Sequence, residues 1–175
     1  MSKEKGRGKA MSRAQFERFA AYLAEHREAA GFFRLFNHLL PALFYVAYPV
    51  LLIVLVCRLD LRFWKFAVVP AVVLGAVTLL RKALHVPRPY ERWGVEPLIP
   101  REAAYQSFPS RHVASAAIIA LTFGQLFLAV GWVMGTLTLA IAVLRVLAGI
   151  HSPLDVLAGA ALALLIGLPA YLLLP

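Results

Sequence analysis

The chain is short of charge and almost without cysteine. Of its 175 residues only 15% are charged and 61% are hydrophobic, against roughly 25% and 45–50% in an ordinary soluble domain. A globule of this size cannot hide so much apolar side chain from water, which excludes a soluble monomer. The same fraction excludes intrinsic disorder. A single cysteine, Cys57, excludes a disulfide scaffold, and its place in an apolar run marks it as packing. Acidic residues number nine against eighteen Lys and Arg, a formal net charge of +9. A nucleic-acid binder presents such an excess on one face of a soluble fold. Here the basic residues lie in short stretches between long apolar ones, so no nucleic-acid partner is expected.

What is abundant is uninterrupted apolar length. A helix needs about 20 apolar residues to cross ~30 Å of hydrocarbon. Leu39–Cys57 meets that without a charge, and Phe66–Leu80 meets it once Phe63 and Trp64 are added and Lys65 snorkels. From Val113 to Ile150 the one charge is Arg145. As a single helix this stretch would measure about 57 Å, so it must form two spans, most simply turning at Val130-Gly131-Trp132. A last span runs from Pro153 to Leu174.

The first residues differ. Residues 1–13 are polar and basic and are expected to be a disordered tail. Residues 14–37 carry Phe16, Phe19, Leu23, Phe33 and Phe36 near helical spacing, interrupted by Arg18, Glu25, Arg27 and Arg34. That pattern suits an amphipathic helix lying in the interface. No early apolar core followed by a cleavage site suggests a signal peptide. The expected fold is all-α: a polytopic helix bundle of about five crossing helices, six at the upper bound. Residues 38–175 form its membrane-embedded domain. Nothing in the sequence fixes an oligomeric state.

Five spans bring three polar segments to one membrane face: Arg81 to Pro89, Phe108 to His112, and Arg145 to Asp155. Guanidinium groups at Arg81, Arg88, Arg111 and Arg145 can grip phosphate in forked pairs. Lys82 adds charge beside Arg81. Ser110 suits the N-cap of the third span. Ser152-Pro153-Leu154-Asp155 reads as cap, first-position proline and first-turn acid of the fifth. Helix N-termini favour anions, so a phosphate would be well held there. His112 and His151 supply reactivity. The assignment read from the residues makes His151 the nucleophile, Asp155, one turn further on, its orienting carboxylate, and His112 the general acid. Metal ligation by His85, His112 and His151 is the weaker reading, because one carboxylate joins them and no metal-binding spacing is present.

These motifs resemble the type-2 phosphatidic acid phosphatase (PAP2) family, which includes the vanadium haloperoxidases. Its signature is K-x6-R-P, P-S-G-H and S-R-x5-H-x3-D. Here Arg81-x6-Arg88-Pro89, Pro109-Ser110-Arg111-His112 and Leu144-Arg145-x5-His151-x3-Asp155 follow in the same order and spacing. Three positions depart: Arg81 for lysine, Arg111 for glycine and Leu144 for serine. The resemblance implies hydrolysis of a lipid phosphate through a phosphohistidine at His151, without metal or cofactor. It also implies phosphate contacts from Arg81, Arg88, Arg145 and Ser110, with Lys82 and Arg111 as further contributors. The partners are then the bilayer and an amphiphilic substrate of polyprenyl diphosphate, phosphatidic acid, phosphatidylglycerol phosphate or lipid A type. Transfer of the phosphate to another lipid uses the same site. A non-catalytic binder of anionic lipid would need the arginines but not the histidines. On sidedness two arguments collide. Residues 1–38, 81–112 and Arg145 carry eight, six and one Lys/Arg against three in 58–65, which favours a cytoplasmic site. The resemblance implies an extracytoplasmic one. Since at least four of those charges have a catalytic reason to be there, the expectation is a cell-membrane protein with an extracytoplasmic site.

Overall fold

Ser12 opens the first helix: its hydroxyl accepts from the Gln15 amide while the Gln15 side chain accepts from the Ser12 amide. A computed structural model describes residues 11–100 and 103–174 of the chain. Most of the expected 1–13 tail lies outside the described residues, and helix begins at Arg13. The elements are α1 (Arg13–Glu25), α2 (Arg27–Cys57), α3 (Arg62–Leu84), the short α4 (Pro89–Trp93), α5 (Arg111–Leu126), α6 (Leu128–Leu147) and α7 (Pro153–Leu173). Among the described residues there is no strand. The fold is the all-α bundle the hydropathy implies.

Four segments are long and apolar enough to cross a membrane: α2, Arg62–Trp93, α6 and α7. The fifth long helix, α5, has 16 residues, about 24 Å. It occupies the centre of the bundle, packed on α3, α6 and α7, with Ala114 and Ile118 fully buried against Val73, Val77 and Ala163. Large apolar side chains on the other helices, such as Leu79, Trp132, Leu165 and Leu172, point outward and exposed. That exterior suits lipid.

The structure divides residues 14–37 differently from the expected single interfacial helix. The chain breaks at His26 (φ −113°, ψ 83°), and Phe32, Phe33 and Phe36 belong to the first long helix. Helix runs unbroken from Arg27 to Cys57 through both Pro41 and Pro49, and the first of these is compensated. Pro41 cannot donate to the Asn37 carbonyl four residues back, and Arg145 Nη2 donates there instead at 3.3 Å. Pro70 leaves the Phe66 carbonyl in the same position, and Tyr48 Oη donates to it at 2.8 Å, tying α2 to α3. The remaining α1 is amphipathic, with Phe16 and Leu23 buried and its charges exposed.

The turn between the third and fourth spans also differs from expectation. It is made by Phe127 alone, three residues before Val130. Gly131 serves close packing: a Cβ built on it would lie 2.5 Å from the Gly124 Cα. A one-residue connection forces α5 and α6 together at once, and two facing glycines permit it.

Candidate active site

The start of α7 is built as the sequence indicates. The Ser152 amide donates to Asp155 Oδ2 at 2.7 Å, and the Asp155 amide donates to Ser152 Oγ at 3.3 Å. This reciprocal cap, with Pro153 at the first helical position, fixes the carboxylate at the helix N-terminus. The same Oδ2 lies 3.7 Å from His151 Nδ1, ion-pair range and slightly beyond hydrogen-bond length. His151 is 1% and Asp155 2% exposed, so the pair is withheld from solvent. With Nδ1 facing Asp155, Nε2 is the nitrogen left to meet a substrate.

His151 is held from behind by the end of α6. The Arg145 carbonyl accepts from the amides of Ile150 (3.3 Å) and His151 (3.2 Å). Gly149 turns the chain at φ +72°, a conformation that favours glycine, and a Cβ there would lie 2.7 Å from the Phe16 ring. Helix α1 therefore docks under this turn: Phe16 packs on Gly149 and on Trp93, ring centroids 5.3 Å apart. The Gly149 carbonyl accepts from the Tyr90 amide at 3.1 Å, which joins the segment after Arg88 to the same turn.

The start of α5 closes the site. The Ser110 amide donates to the Asp155 carbonyl at 2.9 Å. Ser110 stands at the N-cap position, but its hydroxyl caps nothing; it is buried and without a hydrogen-bond partner among the described residues. A buried hydroxyl in that state is ready to donate to a ligand. Arg81 Nη1 donates to the Pro109 carbonyl at 3.0 Å, and Arg88 Nε to the Ala103 carbonyl at 3.1 Å. His112, half-buried, is the second residue of α5. Lys82 and Arg111 are exposed, and so is His85, in the left-handed conformation that ends α3.

Arg81, Arg88, Arg145, His151, Asp155 and Ser110 thus lie on three segments joined by hydrogen bonds, with His112 two residues past Ser110 in the first turn of α5. Asp155 is the one buried carboxylate among the described residues, against three buried guanidinium groups. Buried charge within a membrane protein marks function. Among the described residues no three His, Cys, Asp or Glu side chains gather as metal ligands.

Three contributors were not visible in the sequence. Ser107 is fully buried, donates its hydroxyl to Asp155 Oδ2 at 2.5 Å and its amide to the Val86 carbonyl at 2.9 Å. Gly159 lies beneath Ser110: a Cβ on it would be 2.5 Å from the Ser110 carbonyl oxygen. Asn37, through its carbonyl, anchors Arg145. Ser107 sits three residues before Ser110, the only local hint, and its partners come from two distant segments.

The family model of the PAP2 superfamily matches residues 62–175. The crystal structure of Aquifex aeolicus LpxE is similar over 98% of this chain and 99% of that one, at 27% identity and a TM-score of 0.66. The crystal structure of a transmembrane PAP2-type phosphatidylglycerolphosphate phosphatase from Bacillus subtilis is similar over 89% of this chain and 90% of that one. Its identity is 23% and its TM-score 0.55, which speaks to the fold. No curated protein matches the chain significantly in sequence.

Proposed function

Because the chain belongs to the PAP2 superfamily, we propose that it is an integral-membrane lipid phosphatase working through a phosphohistidine at His151. The observation that carries the reading is the buried His151–Asp155 pair at the start of α7, with buried arginines Arg81, Arg88 and Arg145 on the segments joined to it. In the first step His151 Nε2 attacks phosphorus and the bond to the lipid oxygen breaks. His112 gives its proton to that oxygen, releasing a lipid alcohol, or a monophosphate when the substrate is a diphosphate. In the second step His112 takes a proton from water, which displaces phosphate from His151. Asp155 keeps the proton on Nδ1 and balances the imidazolium charge.

Arg81, Arg88, Arg145, the Ser110 hydroxyl and two helix N-termini bind the phosphate oxygens. They supply the charge neutralisation that a metal would otherwise give. The substrate is a lipid phosphate, with a polyprenyl diphosphate such as undecaprenyl diphosphate favoured over phosphatidic acid or phosphatidylglycerol phosphate. The site faces the extracytoplasmic side of the cell membrane. The test is phosphate release from detergent-dispersed lipid phosphates in excess EDTA. Activity should persist there, and His151→Ala and His112→Ala should each remove nearly all of it, with Asp155→Asn milder. Complete loss on chelation, restored by one divalent ion, would refute the mechanism.

A further inference from the structure

A groove of about 490 Å³ runs between α6 and α7, with Val113 of α5 lining one end. That volume lies in the ~300–1,000 Å³ range of ligand pockets. Its upper end adjoins the active site in the chain itself: Val113 follows His112, Pro153 follows Ser152, and Val156 follows Asp155. From there its lining follows α6 down to Gly135. Leu147 to Gly135 is about 18 Å of helix, slightly over half of a ~30 Å hydrocarbon layer, so the groove is one leaflet deep. The one polar side chain on its lining, Thr138, is buried and donates its hydroxyl proton to the Met134 carbonyl at 2.8 Å, which leaves no donor for a polar guest.

We propose that this groove holds one hydrocarbon chain of the substrate while its phosphate sits at His151. The inference rests on the phosphatase reading for the headgroup. A cationic site meets an apolar groove end to end, and the complement of that pairing is an anionic amphiphile. Its role is positional: a chain already in lipid gains little hydrophobic free energy by entering protein, since lipid is as apolar as the groove. What the groove adds is direction. It lets the phosphate reach His151 while the chain stays at membrane depth, and a chain forced to detour pulls the phosphate out of line.

Gly135 provides the test, because a Cβ there meets nothing within 4 Å and a larger side chain would enter open groove without crowding the fold. Gly75 on α3, equally uncrowded and outside the groove, is the control. Phosphate release is measured from alkyl monophosphates of about six and sixteen carbons in one detergent. Gly135→Phe should lower the long-to-short ratio of kcat/KM on the order of tenfold, whereas Gly75→Phe should leave it as in the unaltered protein. An unchanged ratio in Gly135→Phe overturns the proposal. As a second measurement, a sixteen-carbon alkyl phosphate with a diazirine at its chain end should label peptides around Gly135 and Ala160, and the matching alcohol should not. Equal labelling by both means the groove holds any bilayer chain, which also overturns it. Labelling by the phosphate without phosphate release would sink the phosphatase reading and leave the groove standing.

Discussion

Asp155 meets three neighbours with one carboxylate oxygen: the Ser152 amide, the Ser107 hydroxyl and the imidazole of His151. The first two hold the oxygen still so that the third can be oriented, which makes Ser107 a positioning residue. A hydrogen bond to a buried charge is worth roughly 1.5–3 kcal/mol. Ser107→Ala should therefore lower kcat on the order of tenfold to a hundredfold with little change in KM, and Ser107→Thr should restore part of it. Equal changes in kcat and KM, or no rescue by threonine, would contradict that role. The motif residues could be read from sequence because the reaction demands fixed types at fixed short spacing. Ser107 could not: its two partners, Val86 and Asp155, stand 21 and 48 residues away.

Helices α5 and α7 cross where Gly159 touches the Ser110 carbonyl, and this crossing sets the N-termini that frame the site. Backbone cannot yield as a flexible side chain can, so an added methyl must part the helices. Overpacking of this kind costs about 1–3 kcal/mol. Gly159→Ala should lower the thermal midpoint in detergent by a few degrees and cut kcat/KM at least tenfold, as the Ser110 amide leaves the Asp155 carbonyl. Unchanged kcat/KM would show that the crossing does not set the site. Hydropathy made the long helices legible and misplaced two boundaries for identifiable reasons. Gly131 reads equally as a turn or as a close contact, and only the distance to Gly124 decides. The apolar spacing of residues 14–37 runs on through His26, so periodicity does not register the break there that hands Phe32, Phe33 and Phe36 to α2.

At the scale of the whole molecule, the charge distribution and the proposed chemistry point to opposite membrane faces. Arg81, Arg88 and Arg145 are buried, which removes three of the fifteen Lys/Arg on that side from the topological count and leaves twelve against three. The extracytoplasmic placement is our proposal from the family resemblance, set against that charge count. Cysteine placed at Leu61 or at Glu96, both exposed, reports the two faces in a Cys57→Ser background. A membrane-impermeant thiol reagent should reach position 96 and not position 61 in intact cells; the reverse pattern would move the site to the cytoplasm. The membrane setting itself was legible from composition alone. The groove between α6 and α7 was not, because it depends on how two apolar helices diverge across α5, which no periodicity records.

The proposed mechanism phosphorylates His151. The most direct measurement is to mix the His112→Ala protein with a lipid phosphate analogue bearing a good leaving group and radiolabelled phosphorus, quench it under alkaline conditions, and locate the label. A variant lacking the general acid but retaining the nucleophile should accumulate acid-labile, base-stable label on the peptide holding His151, and none when His151→Ala is added. Label on Ser110, or no label while phosphate is still released, would contradict the account.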